Sequence, residues 1–148
     1  MDREELLKGV DSKKILFGLF FAFANRLQAV GDTFYEEITC KQFFALICLS
    51  LFQENNPTIN ELSEVMGSSH QNVKQIILKL EKKGYVRIVK DEKDKRKQRI
   101  CITEGLKKLE LKYNEKEKEF MNRLYKGISI NDIQTTIQVI KTMEENLK

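Results

Sequence analysis

Apolar residues recur along this chain at helical, alternating and heptad-like steps, and each rhythm predicts an element. From Ser12 to about Gly31, Ile15, Leu16, Leu19, Phe20, Phe23 and Leu27 keep the three-and-four spacing of one helix face. Phe17, Phe21 and Ala24 widen that face beyond the needs of one small core, and a second copy of the chain is the economical cover for the surplus. Thr39 stands three residues before Gln42, the spacing of a capping box, and opens FFALICLSLF. That run is apolar nearly all round, which predicts a buried helix of about fifteen residues closed by the loop Glu54, Asn55, Asn56, Pro57.

The same grammar opens a third helix, with Thr58 as cap, Glu61 three residues on, Ile59, Leu62, Val65 and Met66 along one face, and Gly67 as terminator. Ser69 caps a fourth after a tight connection, with Val73, Ile76, Ile77 and Leu80 pointing inward and Gly84 at its end. Two helices joined by a tight Gly-containing turn make a helix-turn-helix. The rhythm then changes to alternation, Val86 and Ile88 on one arm and Ile100 and Ile102 on the other, which predicts the two strands of a hairpin. Leu106, Leu109, Tyr113, Phe120 and Leu124 mark a long helix that ends before Gly127. Ser129 with Asp132 caps a last one carrying Ile130, Ile133, Ile137, Ile140 and Leu147. A small winged module cannot bury these last two stripes, so they are assigned with the first helix to a subunit interface in preference to an appended monomeric hairpin. The expected fold is therefore mainly α with a small β-hairpin wing. A winged helix-turn-helix at 39–103 (recognition helix 69–83, wing 85–103) is flanked by dimerisation helices at 12–31 and 104–148.

Composition agrees: among 148 residues there is one Pro and there are seven Gly, which favours helices, and the length suits one domain. Lys13 and Lys14 before ILFGLFFAFA imitate a signal peptide, but the run is too short to span a bilayer and its helical spacing continues through Leu27 and Val30. A buried helix and a cytoplasmic setting without membrane contact fit better. Cys40, Cys48 and Cys101 form no C-x-x-C pair and His70 is the lone histidine, so no metal, cofactor or disulfide framework is indicated. Cys48 reads as core packing. Cys40 lies in a first helical turn, where the helix dipole can lower a thiol pKa, and it is the one opening for a redox role.

Charge changes the picture most. Between Arg87 and Arg99 the bases Arg87, Lys90, Lys93, Lys95, Arg96, Lys97 and Arg99 outnumber Asp91, Glu92 and Asp94 by four, which equals the net charge of +4 of the whole chain. The segment is too polar to bury and projects as a hairpin tip suited to a polyanion. Immediately before it, the fourth helix turns His70, Gln71, Asn72, Lys74 and Gln75 outward behind its Ser69 cap, with Lys79, Lys82 and Lys83 farther on and Glu81 as the one acid. Asn and Gln can bond adenine edges in two places and Lys can reach guanine or phosphate, so this is the chemistry of major-groove reading. A merely solvated polar surface is the plain alternative for either element alone; side by side they read as one device, a helix for the major groove and a wing for the backbone and minor groove.

At DEKDKRKQRICITEG the chain resembles the MarR-type transcriptional regulators, whose wing carries an Asp and an Arg one residue apart, then a strand ending in apolar-Thr and a Gly two residues on. Here these are Asp94, Arg96, Ile102, Thr103 and Gly105. LEKKGYV is similar to the family's link from recognition helix to wing, and ELSEVMG resembles its first helix-turn-helix element. Ser63 and Ser68 depart from it, standing where Ala and an apolar residue are common. The resemblance implies a homodimer with interleaved termini on double-stranded DNA at a pseudo-palindromic operator, with Arg96 entering the minor groove, Asp94 orienting it, and Gln71, Asn72, Lys74 and Gln75 facing bases. Lys93, Lys95 and Lys97 complete the expected contact set with Ser69, His70 and Lys79. Family members often respond to small, commonly phenolic or anionic effectors, and nothing in this sequence identifies one; the sensor cysteine of oxidant-responding members lies in the N-terminal helix, where this chain has none.

The expected function is a sequence-specific DNA-binding regulator, a repressor released by a small-molecule effector. Its rival is a winged-helix protein-interaction module whose basic tip meets an acidic partner. With one His, no paired carboxylates, no Gly-rich phosphate loop and no nucleophile motif, the chain is not expected to be an enzyme.

Overall fold

The computed structural model describes residues 1–148, which run α1 (Arg3–Leu7), α2 (Ser12–Phe34), α3 (Cys40–Ser50), α4 (Ile59–Met66), α5 (His70–Lys82), β1 (Val86–Lys90), β2 (Gln98–Ile102), α6 (Glu104–Leu124) and α7 (Ile130–Glu145). Two compact units divide the chain, Met1–Leu106 and Lys107–Lys148. Neither contains a helix long and apolar enough to cross a membrane.

In the first unit, α2 begins where Asp11 accepts hydrogen bonds from the amides of Lys13 and Lys14 (2.9 and 3.3 Å). It runs past the expected stop at Gly31 because that glycine is a close-packing position. A Cβ there would lie 2.5 Å from Cys40 Sγ and 2.7 Å from its Cβ, so only Gly lets the start of α3 approach. Past Phe34 the chain turns at the buried Tyr35, whose ring sits 4.8 Å from Phe34 and 5.0 Å from Phe43. The short α1, capped by Asp2, was not expected from the sequence.

Both capping boxes form: Thr39 with Gln42 opens α3, and Thr58 with Glu61 opens α4. The third helix is shorter than its apolar run suggested and is not buried all round. After Ser50 the amides of Leu51, Phe52 and Gln53 reach back three residues instead of four, which tightens the chain into turns, and Phe44 and Ile47 remain exposed. Its inward residues Ala45, Leu46, Cys48 and Leu49 are buried. They join Leu62 of α4 and Val73, Ile77 and Leu80 of α5, each 0% exposed, in the core of this unit. Ser63, in the place of a small apolar residue, is buried with its hydroxyl donating to the carbonyl of Ile59 (2.6 Å), so the hydroxyl costs no unsatisfied polar group.

Gly67 takes the left-handed conformation (φ 61°) that ends α4, and its amide and that of Ser68 bond back to Glu64 and Ser63. Two residues later Ser69 Oγ accepts the Asn72 amide and α5 begins. Gly84 (φ 83°) closes α5, and β1 and β2 pair antiparallel with Val86 opposite Ile102 and Ile88 opposite Ile100. Val86 and Ile100 are buried, and the amide of Ile100 donates to the carbonyl of Pro57 (2.9 Å), which ties the hairpin to the loop before α4.

In the second unit, α6 continues to Leu124 with Leu109 and Tyr113 buried, and Ser129 caps α7 by accepting the Asp132 amide (3.1 Å). No residue of α7 is buried: Ile130, Ile137 and Ile140 lie exposed, as does Leu147 beyond its end. In the first unit, none of α2 is buried either, with Phe17 67% and Phe21 63% exposed.

The Gly31 approach gives a direct test. Gly31→Ala must push the start of α3 away, and we expect a loss of about 1–3 kcal/mol in unfolding free energy by chemical denaturation, the usual cost of overpacking a tight contact.

Candidate nucleic-acid interface

The face of α5 opposite its buried stripe carries His70, Gln71, Asn72, Lys74, Gln75 and Lys79, all exposed, with Ser69 as the cap. An open groove of about 680 Å³ separates this helix from the hairpin. His70, Lys74 and Leu78 form one wall, Arg96, Lys97 and Gln98 the other, and Thr58 to Glu61 contribute from the start of α4. The expected site thus divides. His70, Lys74, Arg96 and Lys97 meet across one groove, whereas Gln71, Asn72, Gln75 and Lys79 lie on the outer surface of α5, and Lys93 and Lys95 at the exposed hairpin tip. His70 does not stand free, since its Nδ1 hydrogen-bonds to Asn60 Oδ1 on α4.

The hairpin tip is built on carboxylates. Asp91 Oδ1 accepts the amides of Lys93 and Asp94 (both 2.8 Å), and its Oδ2 accepts Nε of Arg99 (2.6 Å). Backbone bonds from Asp91 to Lys97 and from Lys97 to Asp94 (both 2.9 Å) close the turn. Three residues on, Asp94 Oδ1 accepts both the amide and Nε of Arg96 (3.1 Å each), while the Arg96 side chain stays 90% exposed. Nη2 lies 3.5 Å from Asp94 Oδ2 as well, so the carboxylate holds the guanidinium along one edge and leaves the rest exposed.

These contacts set the electrostatics. The Asp94 amide, then Arg99 and the Lys93 amide, hold the Asp91 carboxyl well down, from 3.8 to about 2. Hydrogen bonds from the Arg96 side chain and amide lower Asp94, and the Thr58 amide is the largest of the causes that lower Glu61. All three stay ionised throughout the neutral range.

Several residues that organise this surface were read from the sequence only as charge. Arg99 Nη1 donates to the carbonyl of Asn56 (2.9 Å) and lies 3.5 Å from Glu61 Oε2, so it braces the hairpin and is not part of a free basic tip. Lys83 turns inward instead of outward, donating to the Glu37 carbonyl (2.6 Å) and Gln42 Oε1 (2.9 Å). Glu81, which seemed only to oppose the lysines of α5, accepts the Ile88 amide (2.6 Å) and fastens helix to strand. The signal available for Asp91 was its place as the first residue after a strand, with amides two and three positions on, the spacing of an Asx turn. Nothing in the sequence marks Lys83 or Arg99 as braces, because the partners that tie them to other elements lie about forty residues away along the chain.

The surroundings of Cys40 oppose a reactive thiolate. Burial first, and the Asp32 carboxylate second, push its thiol pKa up, and Asp32 Oδ1 accepts the Cys40 amide (2.9 Å). Both effects favour the protonated thiol over the nucleophilic thiolate, against the dipole effect expected at a helix start.

A helix-turn-helix, a recognition helix with an amide- and lysine-bearing outer face, and a basic hairpin across a groove from it define a winged helix-turn-helix protein. Residues 38–97 match the MarR family. The chain is 27% identical over 137 residues to the transcriptional activatory protein BadR of Rhodopseudomonas palustris, covering 90% of this chain and 78% of that protein. A MarR/EmrR family transcriptional regulator from Acinetobacter sp. superposes with a TM-score of 0.79 at 18% identity, over 93% of this chain and 98% of that one. MepR of S. aureus, solved in a complex with DNA, superposes with a TM-score of 0.76 at 21% identity, over 88% and 96%. The chain is thus similar to MarR-type transcriptional regulators, in sequence over residues 38–97 and in fold over most of its length.

The depressed Asp91 pKa predicts a pH profile. An acid bound more tightly as its anion stabilises the fold above its unfolded pKa and loses that contribution as pH falls through its folded value. The stability difference between wild type and Asp91→Asn, followed by denaturation, is therefore expected to be flat above about pH 5 and to shrink as pH falls through 3.8 toward about 2. A difference that fades at neutral pH would contradict the ion pair.

Proposed function

We propose that this protein is a homodimeric, sequence-specific DNA-binding transcriptional regulator that represses by occupying a pseudo-palindromic operator and is released by a small-molecule effector. The observation that carries the DNA reading is the shared groove: His70 and Lys74 of α5 and the Arg96 tip line the same opening, with the amides of α5 exposed beside it. Gln71, Asn72, Lys74 and Gln75 read base edges in the major groove, and Arg96, aimed by Asp94, enters the minor groove beside it. Ser69 and His70 sit at the helix start, and Lys79, Lys93, Lys95 and Lys97 neutralise phosphates. MepR, a protein of similar fold, has been solved in a complex with DNA, which supports the DNA-binding reading.

The homodimer is supported by what one chain leaves uncovered. Phe17, Phe21 and Phe23 of α2 and the isoleucines of α7 present apolar surface that a soluble protein covers, and a second copy supplies both halves of a symmetric contact. Release by an effector rests on the family resemblance alone. A second reading of the sign of control, activation, is favoured by one observation, the activatory relative BadR. The basic surface also suits an acidic protein partner, but amides at the start of α5 are chemistry that such a partner does not need.

Three measurements test the reading. Footprinting on the DNA upstream of the coding sequence should show a protected site with two-fold related halves, and sedimentation should give the mass of two chains. Arg96→Ala should weaken binding to that site by roughly 1–3 kcal/mol, whereas Lys95→Ala should weaken operator and random DNA alike. Equal losses on both DNAs for both variants would remove the readout claim.

A further inference from the structure

The basic tip of the hairpin is not an independent finger. Starting from the first helix of the helix-turn-helix, Glu61 Oε2 receives the Thr58 amide (2.7 Å) and lies 3.5 Å from Arg99 Nη1. Arg99 also donates through Nη1 to the Asn56 carbonyl (2.9 Å) and through Nε to Asp91 (2.6 Å). Asp91 in turn fixes the amides of Lys93 and Asp94, and Asp94 holds Arg96. A continuous series of charged hydrogen bonds thus runs from the capping box of α4 to the Arg96 guanidinium, which projects into solvent. Besides this series, the Ile100 amide on the Pro57 carbonyl and the Ile88 amide on Glu81 anchor the body of the hairpin, and backbone bonds among Asp91, Asp94 and Lys97 close its turn; Arg99 and Asp91 supply the side-chain link between that turn and α4.

We propose that Arg99 is a positioning residue for DNA recognition, a brace that acts through Asp91 to hold the Arg96 tip at a fixed angle to α5 without itself touching DNA. This rests on the reading of Arg96 as a minor-groove contact. Arg99 is ill placed to bind phosphate: its side chain is only 32% exposed, and its Nε and Nη1 are engaged by Asp91, Asn56 and Glu61. Its charge is matched within the protein, so its use lies in geometry. Preorganising a contact residue raises affinity because less conformational freedom is lost on binding.

The brace makes a prediction whose sign opposes simple electrostatics. Removing the negative charge of Asp91 near a polyanion should tighten binding if charge alone matters. If Asp91 serves the brace, Asp91→Asn should weaken it, even though Asn keeps an oxygen for the Lys93 and Asp94 amides. The probe is a duplex selected by the wild-type protein from a random-sequence pool, with affinities measured for wild type, Arg96→Ala, Asp91→Asn, Arg99→Gln and the doubles with Arg96→Ala. We expect Arg99→Gln and Asp91→Asn each to lose about tenfold in affinity, and neither to lose anything further once Arg96 is already Ala, since the brace then has nothing to aim. Losses that multiply with Arg96→Ala, or an Asp91→Asn protein that binds as tightly as wild type or tighter, would overturn the proposal. A wild-type protein that selects no sequence, or an Arg96→Ala protein as tight as wild type, would instead remove the DNA reading on which it stands. Circular dichroism and melting report whether each variant folds, and if Arg99→Gln does not, the Asp91→Asn pair decides the question.

Discussion

The exclusion of Val73, Ile77 and Leu80 from water is the constraint from which the rest of the surface follows. Burying each such side chain contributes roughly 1.5–3 kcal/mol, so the three together rival the whole net stability of a typical domain, about 5–15 kcal/mol. Any rotation of α5 about its axis would expose part of that stripe, whereas the polar residues opposite cost almost nothing to turn. The apolar side therefore dictates where the amides and lysines point. Gly67 and Ser69 set the place where the helix begins, and Glu81 sets its distance from the hairpin.

Much of this was legible in the sequence because it is local. Both capping boxes, the Ser69 and Ser129 caps, the left-handed glycines and the alternation of the hairpin arms are written within four residues of where they act. Errors arose where a residue answers to something distant. Gly31 looked like the end of a helix but serves the approach of Cys40, and the apolar run after Thr39 looked like a longer buried helix than the turns after Ser50 allow. Cys40 itself was open to a reactive reading from its helix position, which burial and Asp32 reverse.

The candidate interface divides the same way. Its contact residues could be listed from charge and amide content, but counting charges treated every Lys and Arg as equally available. Arg99 and Lys83 are spent inside the protein, and Asp91 and Asp94, counted as a reduction of the basic tip, give it its shape. What remains for an external anion is the outward set of lysines and Arg96. Net charge predicts that a polyanion will be attracted, and hydrogen-bond geometry decides which cations meet it.

The crevice between Gly31 and Cys40 bears on how motions of this protein can be followed. A probe attached to the Cys40 sulfur would have to fit where not even a methyl group fits, so labelling would wedge α2 from α3 before it reported anything. Cys48 is buried outright, whereas Cys101 sits part-exposed on β2 opposite Arg87. Of the three sulfurs, Cys101 is the natural handle for a spectroscopic reporter, and it happens to ride on the hairpin itself.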